Sequence, residues 1–477
     1  MSGEGSATHS NAQLKYLISK GQTGIDVIGD AATAAALDPD HPLAKASVGT
    51  QGVSLCRKQD ILELLSGIPL DKISFSASLS PQTTIAGYSL AAETFGFAPE
   101  MLRGSVIQAP LYSEDCGYAV HLPVGYRVRA ALDTIEYAAL NLPRFHGFIE
   151  DAYFFSKSGL DAVEEMALGF VEIRYLVRRL LQRGLPIDLF APRIAILVNC
   201  CMDFFEEIAK VRATRRIFAR TMRDEFGAAD PRSLSVVITS HTSGLSMTAQ
   251  QPVNNIIRGT SQAIALVLAG VQAVEISAFA EAFRTPSPGS HLVGLRTQQI
   301  LDLEAGVARV ADPFGASYFI EHVTDEIEGR IVARVKEIEA LGDAAELVNQ
   351  GFFRQIFTSA MERQQKDVAK GDLPVVGVNC HQVPEEDDRL LKAIAEQKIE
   401  SFQEYVEKIW TWKAGRDKSA VRAAIDRYKT VVENGENLVP ATRDCLNHDL
   451  TFGEIKGAAR DVMGLPYDFY GMVSAPA

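Results

Sequence analysis

The chain has 477 residues, of which 47% are hydrophobic and 22% are charged, and its formal net charge is −13. This composition is typical of a globular protein with a large core, and the acidic balance argues against non-specific nucleic-acid binding. No run of about 18 apolar residues would span a membrane. The six cysteines include no CxxC pair, which favours a cytoplasmic protein with free thiols.

Short apolar or β-branched runs alternate with helical patterns along the first two thirds of the chain. This repeated alternation predicts a parallel sheet covered by helices. Eight such units favour an α/β fold that closes into a TIM (β/α)8 barrel. The predicted strands are residues 24–29, 73–78, 105–109, 147–152, 194–199, 234–238, 273–278 and 307–311.

After Asp312 the pattern becomes mainly helical, with charged amphipathic stretches at 325–342 and 344–369 and a capping box formed by Thr451 and Glu454. We therefore predict three regions. They are a disordered N-terminal tail at 1–14, a barrel domain at 15–322, and a mainly helical C-terminal extension at 323–477 that packs on the barrel. On the predicted helix after the fifth strand, Arg212, Arg215 and Arg216 are expected to form a solvated face.

The loop at 241–260 is unusually long for its position between a strand and a helix. It reads HTSGLSMTAQQPVNNIIRGT and is small, polar and rich in amides. A loop that only reverses the chain needs about two to six residues, so this one is expected to bind a ligand at the carboxyl end of the sheet.

This loop resembles the TSGxSLTxQxPxNNxxR signature of the methylmalonyl-CoA mutase family. Further similarities cover most of the chain, roughly residues 15 to 470. The matching segments are 38–42 with DSDHP, 190–193 with FAPR, 207–213 with EIAKxRA, 312–318 with DPxGGSY and 377–379 with GVN.

The resemblance implies a TIM barrel that threads the pantetheine arm of an acyl-CoA and holds adenosylcobalamin over the strand ends. It also implies an isomerase, since an adenosyl radical abstracts a substrate hydrogen and the acyl skeleton then rearranges. Such chemistry needs a closed cavity that protects radicals from side reactions.

The resemblance also assigns candidate site residues to three groups. Tyr153, His241 and Gln108 are the catalytic candidates that face the acyl unit, although His241 could equally be structural at its strand end. The cofactor candidates are Gly244, Leu245, Glu281 and Ala282, and the substrate candidates are Phe154, Tyr118, Arg193 and Ser78; no metal ligand is predicted.

Two departures from the family pattern bear on the substrate. Phe154 stands where the family has a histidine, and no arginine occurs between Arg103 and Arg127, where Tyr118 is the nearest match to the family's carboxylate-binding arginine. An unpaired carboxylate in the cavity would cost several kcal/mol. The expected substrate is therefore a non-dicarboxylic acyl-CoA.

The family's cobalamin-binding motif, DxHxxG, does not occur among the nine histidines. The resemblance therefore implies that adenosylcobalamin is held by a separate small subunit, in a homodimer or a heterotetramer. Two alternatives stay open. The chain could be a non-catalytic mutase-like partner subunit, or a repurposed barrel that acts on a CoA- or carrier-bound thioester without radicals.

Overall fold

The computed structural model describes residues 3–116, 119–388, 390, 392 and 400–476. It shows an α/β fold built on one seven-stranded sheet. The strands are β1 Gly24–Ile28, β2 Ser74–Ser78, β3 Gly104–Gln108, β4 Phe145–Asp151, β5 Ile194–Cys200, β6 Val237–Thr242 and β7 Ala273–Glu275.

The strands lie in the sheet in chain order. The neighbours β1–β2, β2–β3, β5–β6 and β6–β7 pair in parallel, as strand–helix alternation predicts. Seven of the eight predicted strands are confirmed, with bounds that differ by at most four residues from the predicted ones.

The prediction of an eighth strand at residues 307–311 is wrong. Its first residues form a 3₁₀ turn at Val307–Arg309, and Val310 is 61% exposed. Gly306 before the run and Asp312 after it both have positive φ, at 63° and 45°. The chain therefore turns at both ends of a short segment, which lies outside the sheet.

Helices precede, separate and follow the strands. Apart from short 3₁₀ and π turns, the described helices are α1 Ala7–Ser19, α2 Ala31–Ala34, α3 Lys58–Leu65, α4 Pro81–Thr94, α5 Ser113–Cys116, α6 Val124–Asn141, α7 Ala152–Ser156, α8 Ala162–Gln182, α9 Ile187–Phe190, α10 Phe204–Arg220, α11 Asn254–Leu268, α12 Pro288–Gln299, α13 Tyr318–Ala340, α14 Ala344–Asn349, α15 Phe352–Lys370, α16 Gln403–Gly415, α17 Lys418–Asn434, α18 Leu438–Asn447 and α19 Phe452–Val462.

The two ends of the chain show how local chemistry sets a helix start. Thr451 accepts from the Glu454 backbone while the Glu454 side chain accepts from the Thr451 backbone, which confirms the predicted capping box. At the other end the structure differs from the predicted tail at 1–14. Helix α1 begins at Ala7 because Ser6 caps it, and it buries Leu14 and Leu17.

The first of two compact units comprises residues 1–110, 118–148 and 399–477. Its core packs Val27, Ala77 and Val106 from the strands with Ile425 of α17 and Ile455 of α19. Full burial of a valine or isoleucine side chain contributes about 1.5–3 kcal/mol. The C-terminal helices α17 to α19 therefore belong to the core of this unit, whereas α16 packs in a separate small cluster with Val48 and Cys56.

The segment 38–42 forms a polar cluster within the first unit. Asp38 accepts hydrogen bonds from Thr451 Oγ1 at 2.6 Å and from Lys413 Nζ at 2.7 Å. His41 Nε2 lies 3.3 Å from Asp468 Oδ2. These contacts give the DSDHP-like segment a structural role, because each one joins parts of the chain far apart in sequence.

The second compact unit comprises residues 111–117 and 149–398. Strands β5, β6 and β7 pair within it, and all seven residues of β5 are buried. The predicted domain limits at residues 14 and 322 stay a prediction. Among the described helices, none is long and apolar enough to cross a membrane.

The prediction of a solvated arginine face on α10 is wrong, because α13 packs along that face. Arg212 and Arg216 donate to the two oxygens of Glu321 at 2.5 and 2.8 Å. Arg215 donates to the Ala269 carbonyl at 2.6 Å. All three guanidinium groups are half-buried. Those of Arg212 and Arg216 neutralise a carboxylate, and that of Arg215 donates to a backbone carbonyl at the end of α11.

Candidate active site

The carboxyl ends of β6 and β7 bring a histidine beside a carboxylate. His241 and Glu275 are register partners, and His241 Nε2 lies 3.4 Å from Glu275 Oε2. Burial lowers the pKa of His241 well below its usual value, so the imidazole is neutral. Its Nε2 faces an acceptor and is therefore assigned as the N–H donor, which leaves Nδ1 as an acceptor.

Helix α7, which follows β4, adds an aromatic side chain and a cation to the same unit. Asp151 caps the helix by accepting from the Phe154 backbone at 3.1 Å. The Tyr153 ring meets His241 edge-on, with centroids 4.7 Å apart. Lys157 lies one turn later, with Nζ 4.4 Å from the centre of the Tyr153 ring, a distance typical of a cation–π contact.

Three polar side-chain atoms converge on Gly244, just after β6. A Cβ at this position would lie 3.0 Å from Glu281 Oε1, 3.6 Å from the Tyr153 hydroxyl and 3.7 Å from Lys157 Nζ. Any side chain here would occupy the space between these groups. The place that a side chain on Gly244 would take, named here the Gly244 gap, is thus bordered by a carboxylate, a phenol and an ammonium group.

The remaining signature residues hold the loop in place. Asn255, which is 1% exposed, accepts from the Thr248 amide at 3.0 Å and donates to the Thr248 carbonyl at 2.8 Å and the Phe279 carbonyl at 2.9 Å. Arg258 donates to Asn255 Oδ1 at 2.7 Å and to the Val376 carbonyl at 2.7 Å. The loop is therefore tied to the segment that carries Glu281.

A buried ion cluster supports the end of β5. Lys210, which is fully buried, lies 2.9 Å from Glu165 Oε2 and 2.5 Å from Glu207 Oε2. The other oxygens of these carboxylates accept from the Asn199 and Cys201 amides, both at 2.9 Å. The EIAKxRA-like segment thus contributes a cluster that satisfies the backbone where β5 ends.

The other predicted site residues of the second unit differ in solvent exposure and in their position relative to the strands. Phe154 is half-buried on α7, and Leu245 and Ala282 are exposed beside Gly244 and Glu281 in sequence. Arg193 closes the 3₁₀ turn Ala191–Arg193, immediately before β5. It therefore sits at the amino end of that strand, whereas His241 and Glu275 sit at carboxyl ends.

In the first unit, Gln108 ends β3 and Ser78 ends β2. Gln108 is 5% exposed and donates from Nε2 to the Gly147 carbonyl at 2.6 Å. Its amide is therefore held in one orientation by the adjacent strand. Tyr118 lies outside the described residues.

Sequence reasoning missed Lys157 and Glu275. The spacing of Lys157, four residues after Tyr153, would place the two side chains on one helix face and was a usable signal. Glu275 carries no comparable signal, because its proximity to His241 depends on the β6–β7 register.

Comparisons with known proteins agree with the motifs. The family model described as methylmalonyl-CoA mutase matches residues 1–465. The chain is 33% identical to the 2-hydroxyisobutanoyl-CoA mutase large subunit of Aquincola tertiaricarbonis, over 97% of this chain and 83% of that protein. It is 32% and 31% identical to the methylmalonyl-CoA mutases of Rhizobium meliloti and Escherichia coli, over 97% and 98% of this chain.

The chain spans 65% of the length of those two methylmalonyl-CoA mutases. The family model, in contrast, covers almost the whole of this chain. The expected protein family and enzyme class are confirmed, with the exact reaction left open. The chain therefore belongs to the methylmalonyl-CoA mutase family, as an acyl-CoA mutase subunit of the isomerase class.

Proposed function

We propose that this chain is the large subunit of an adenosylcobalamin-dependent mutase that isomerises the carbon skeleton of a non-dicarboxylic acyl-CoA. The observation that carries the proposal is the convergence of Glu281, Tyr153 and Lys157 on Gly244. The Gly244 gap lies in the loop that bears the family signature. The polar side chains around it and the absence of a side chain on residue 244 both suit a ligand.

The residues around the gap fit the adenosyl and corrin parts of the cofactor. The Glu281 carboxylate is an acceptor for ribose hydroxyl groups, and Gly244 allows close approach of backbone to a flat macrocycle. Leu245 is 36% exposed and offers apolar contact beside it, and Ala282 follows Glu281 without bulk. When bound, adenosylcobalamin would supply the radical that takes a hydrogen atom from the substrate.

The acyl-side roles follow from charge and hydrogen-bonding capacity. Tyr153 and neutral His241 are proposed to contact the acyl unit, with Phe154 as an apolar wall. The charge of Lys157 is opposed by Glu281 and Asp151, so a substrate carboxylate would lack its own counter-charge. A non-dicarboxylic acyl group therefore suits this site better.

Other contacts are proposed along the CoA path and in the first unit. Gln108 is proposed to carry the amide contact to the thioester, Ser78 a substrate contact, and Arg193 a contact to the CoA moiety. The sheet is proposed to be that of a TIM barrel within residues 15–322, with residues 323–477 as its extension. The six cysteines are free, which supports a reducing, cytoplasmic setting.

The cobalamin is proposed to reside on a separate small subunit, because no DxHxxG motif occurs in the chain. The Aquincola relative is a large subunit, which is in line with such a partner. We propose a homodimer or a heterotetramer with that partner as the assembly.

The test combines this chain with a small DxHxxG protein encoded beside it and with adenosylcobalamin under anaerobic conditions. Adding a suitable acyl-CoA should change the cobalamin absorption spectrum, and a Glu281→Gln variant should abolish the change. Thioester turnover without cobalamin would instead identify a repurposed barrel. No response to any of a panel of non-dicarboxylic acyl-CoAs would identify a non-catalytic subunit, and either result overturns the proposal.

A further inference from the structure

A cavity of about 400 Å³ lies between three helices of the second unit. Its walls come from the start of α8, from α13 and from one face of α15. Among the described residues, none from a strand or from the loop at 241–260 lines it, so the cavity is separate from the Gly244 gap. Its volume lies within the range of about 300–1,000 Å³ that small-molecule sites usually have.

Four of the lining side chains are apolar. Leu160 and Ala360 are buried, whereas Phe352 and Ile356 are half-buried. The three members on α15 are spaced four residues apart, which places them on one face of that helix. Covering these side chains with the hydrocarbon part of a ligand would be favourable, because it removes apolar surface from water.

Three polar side chains on the same helix also line the cavity. Gln355, Ser359 and Arg363 are again spaced four residues apart and are exposed. Within the part of the chain that the structure describes, the Arg363 side chain makes no ion pair and no hydrogen bond. Its guanidinium group therefore offers five N–H donors and a full positive charge to a ligand.

The other charged side chains of the cavity are engaged by the protein itself. Arg334 donates from Nε and Nη2 to the two oxygens of Glu164, at 2.9 and 2.8 Å. Asp161 accepts from the Val163 and Glu164 amides at 3.1 and 2.8 Å, where α8 begins. Arg363 is thus the charge that these contacts leave available.

The lining selects a monoanion that carries an apolar chain. An amine would be repelled by Arg363, and a phosphate dianion would be opposed by the nearby charges of Asp161 and Glu164. A carboxylate can accept two hydrogen bonds from one guanidinium group, and Gln355 and Ser359 can donate further ones. The chain of the same molecule would then cover the apolar side chains.

We propose that this cavity binds a small aliphatic monocarboxylate, with Arg363 holding the carboxylate and with Phe352 and Ile356 contacting the chain. The site goes beyond the proposed mutase reaction and does not depend on it. It adjoins the connection between α7 and α8, because a Cβ on Gly159 would lie 3.3 Å from the Ala360 carbonyl. A bound ligand should therefore stabilise this connection together with α15.

Binding measurements on the full chain test the site. Isothermal titration would compare hexanoate with acetate, hexan-1-ol and hexylamine. Hexanoate should bind with a Kd of about 1 mM or tighter, as expected for a ligand of its size. Acetate lacks the chain and hexan-1-ol lacks the charge, so each should bind roughly 10-fold more weakly or less. Hexylamine should not bind.

Variants then assign the binding to Arg363. Arg363→Gln should weaken hexanoate binding roughly 10-fold or more, and Arg363→Lys should restore part of it because the ammonium group keeps the charge. Lys366→Gln removes a positive charge from an exposed position on the same helix, outside the cavity lining, and should leave the affinity unchanged. Circular dichroism and melting temperature would show that each variant is folded.

Hydrogen exchange would locate the bound ligand. With hexanoate present, backbone amides at 158–164 and 352–363 should exchange more slowly, because the ligand contacts both segments. Amides of the loop at 241–260 should exchange at an unchanged rate, since that loop does not line the cavity.

Three results would overturn the site. They are failure of hexanoate to bind at tens of millimolar, equal affinity for hexanoate and hexylamine, or an affinity that Arg363→Gln retains at full size. Protection confined to 241–260 would place the carboxylate at the Gly244 gap and would also overturn it. None of these measurements requires turnover, so the site can stand if the proposed reaction fails.

Discussion

The Glu281 carboxylate lies 3.0 Å from the position at which a side chain on Gly244 would begin. This distance is shorter than an ordinary van der Waals contact, so Glu281 can keep its place only while residue 244 is glycine. Because the backbone at Gly244 is not left-handed, the reason for glycine here is space and not conformation.

The first prediction concerns Gly244→Ala. The added methyl group should displace Glu281 and narrow the gap, and so reduce mutase activity roughly 10- to 100-fold, as small misplacements in active sites do. The free energy of unfolding should change by less than about 1 kcal/mol. Steady-state kinetics and chemical denaturation would measure the two effects.

Gly329→Ala is the matched control for Gly244→Ala. Gly329 is exposed on α13, and a Cβ there would meet no atom within 4 Å. Alanine should stabilise the helix by up to about 1 kcal/mol and leave activity unchanged. Equal activity losses in both variants would contradict the role of the Gly244 gap.

The second prediction concerns Asn255, which joins the signature loop to the Phe279 carbonyl. Asn255→Ala should destabilise the second unit by about 2–3 kcal/mol, because it leaves buried backbone groups at Thr248 and Phe279 unpaired. Hydrogen exchange should accelerate both in the loop and around Glu281.

Asn254→Ala provides the comparison for Asn255. The Asn254 side chain donates a single hydrogen bond, to Gln251 Oε1 at 3.1 Å, and its loss should cost less than about 1 kcal/mol. If exchange near Glu281 stays slow in Asn255→Ala, the loop does not support that carboxylate.

The sheet could be predicted from sequence because its signal is local. The run IAILVNC at β5 is apolar on both faces, as a strand covered by helices must be. Residues 307–311 have a similar composition, yet positive φ angles at Gly306 and Asp312 remove them from the sheet. Composition alone does not reveal those turns. The start of helix α1 at Ala7 was missed as well, because the segment in which it lies is polar.

The candidate site could be predicted only where the motif itself lies in it. Gly244 and Glu281 were found through the signature and its neighbouring match. Lys157 was missed because it follows an aromatic stretch, and its approach to Gly244 spans 87 positions in the chain. Packing of α7 against the loop after β6 creates that contact, and the sequence periodicity of neither segment predicts it.

The third prediction concerns Lys210, the buried cation at the end of β5. Lys210→Met would leave Glu165 and Glu207 without their counter-charge and should cost about 3–5 kcal/mol. Burial already raises the pKa of Glu165 to about 7, with Lys210 opposing the rise. Removing Lys210 should raise that pKa further, so the loss of stability should grow as pH increases from 6 to 8.

Melting temperatures at pH 6 and pH 8 would test this dependence on pH. The double variant Lys210→Met with Glu165→Gln should recover part of the stability at pH 8, because it removes one unpaired buried charge. A Lys210→Met variant as stable as the parent at both values would show that the cluster is unimportant for folding.

The fourth prediction concerns the acid side of the stability profile. Burial holds the pKa of His241 well below 6.5 in the folded chain, whereas the unfolded chain binds a proton there near pH 6.5. Stability should therefore be lost as pH falls below about 6.5, by up to about 1.4 kcal/mol per pH unit from this residue.

His241→Gln should flatten the stability profile between pH 6.5 and 5 in denaturation experiments. His322→Gln, at an exposed position on α13, should reproduce the parent profile. A His241→Gln profile as steep as that of the parent would contradict a buried neutral imidazole at the end of β6.

The reaction proposed for this chain is the rearrangement of a carbon skeleton. The most direct test incubates the chain, its small cobalamin-binding partner and adenosylcobalamin with a ¹³C-labelled, non-dicarboxylic acyl-CoA and follows the label by NMR. A carbon-skeleton rearrangement should give a product of unchanged mass whose labelled carbon has moved in the skeleton, formed only with the cofactor and lost in Glu281→Gln. Hydrolysis of the thioester with the skeleton intact, or product that forms equally without cobalamin, would contradict it.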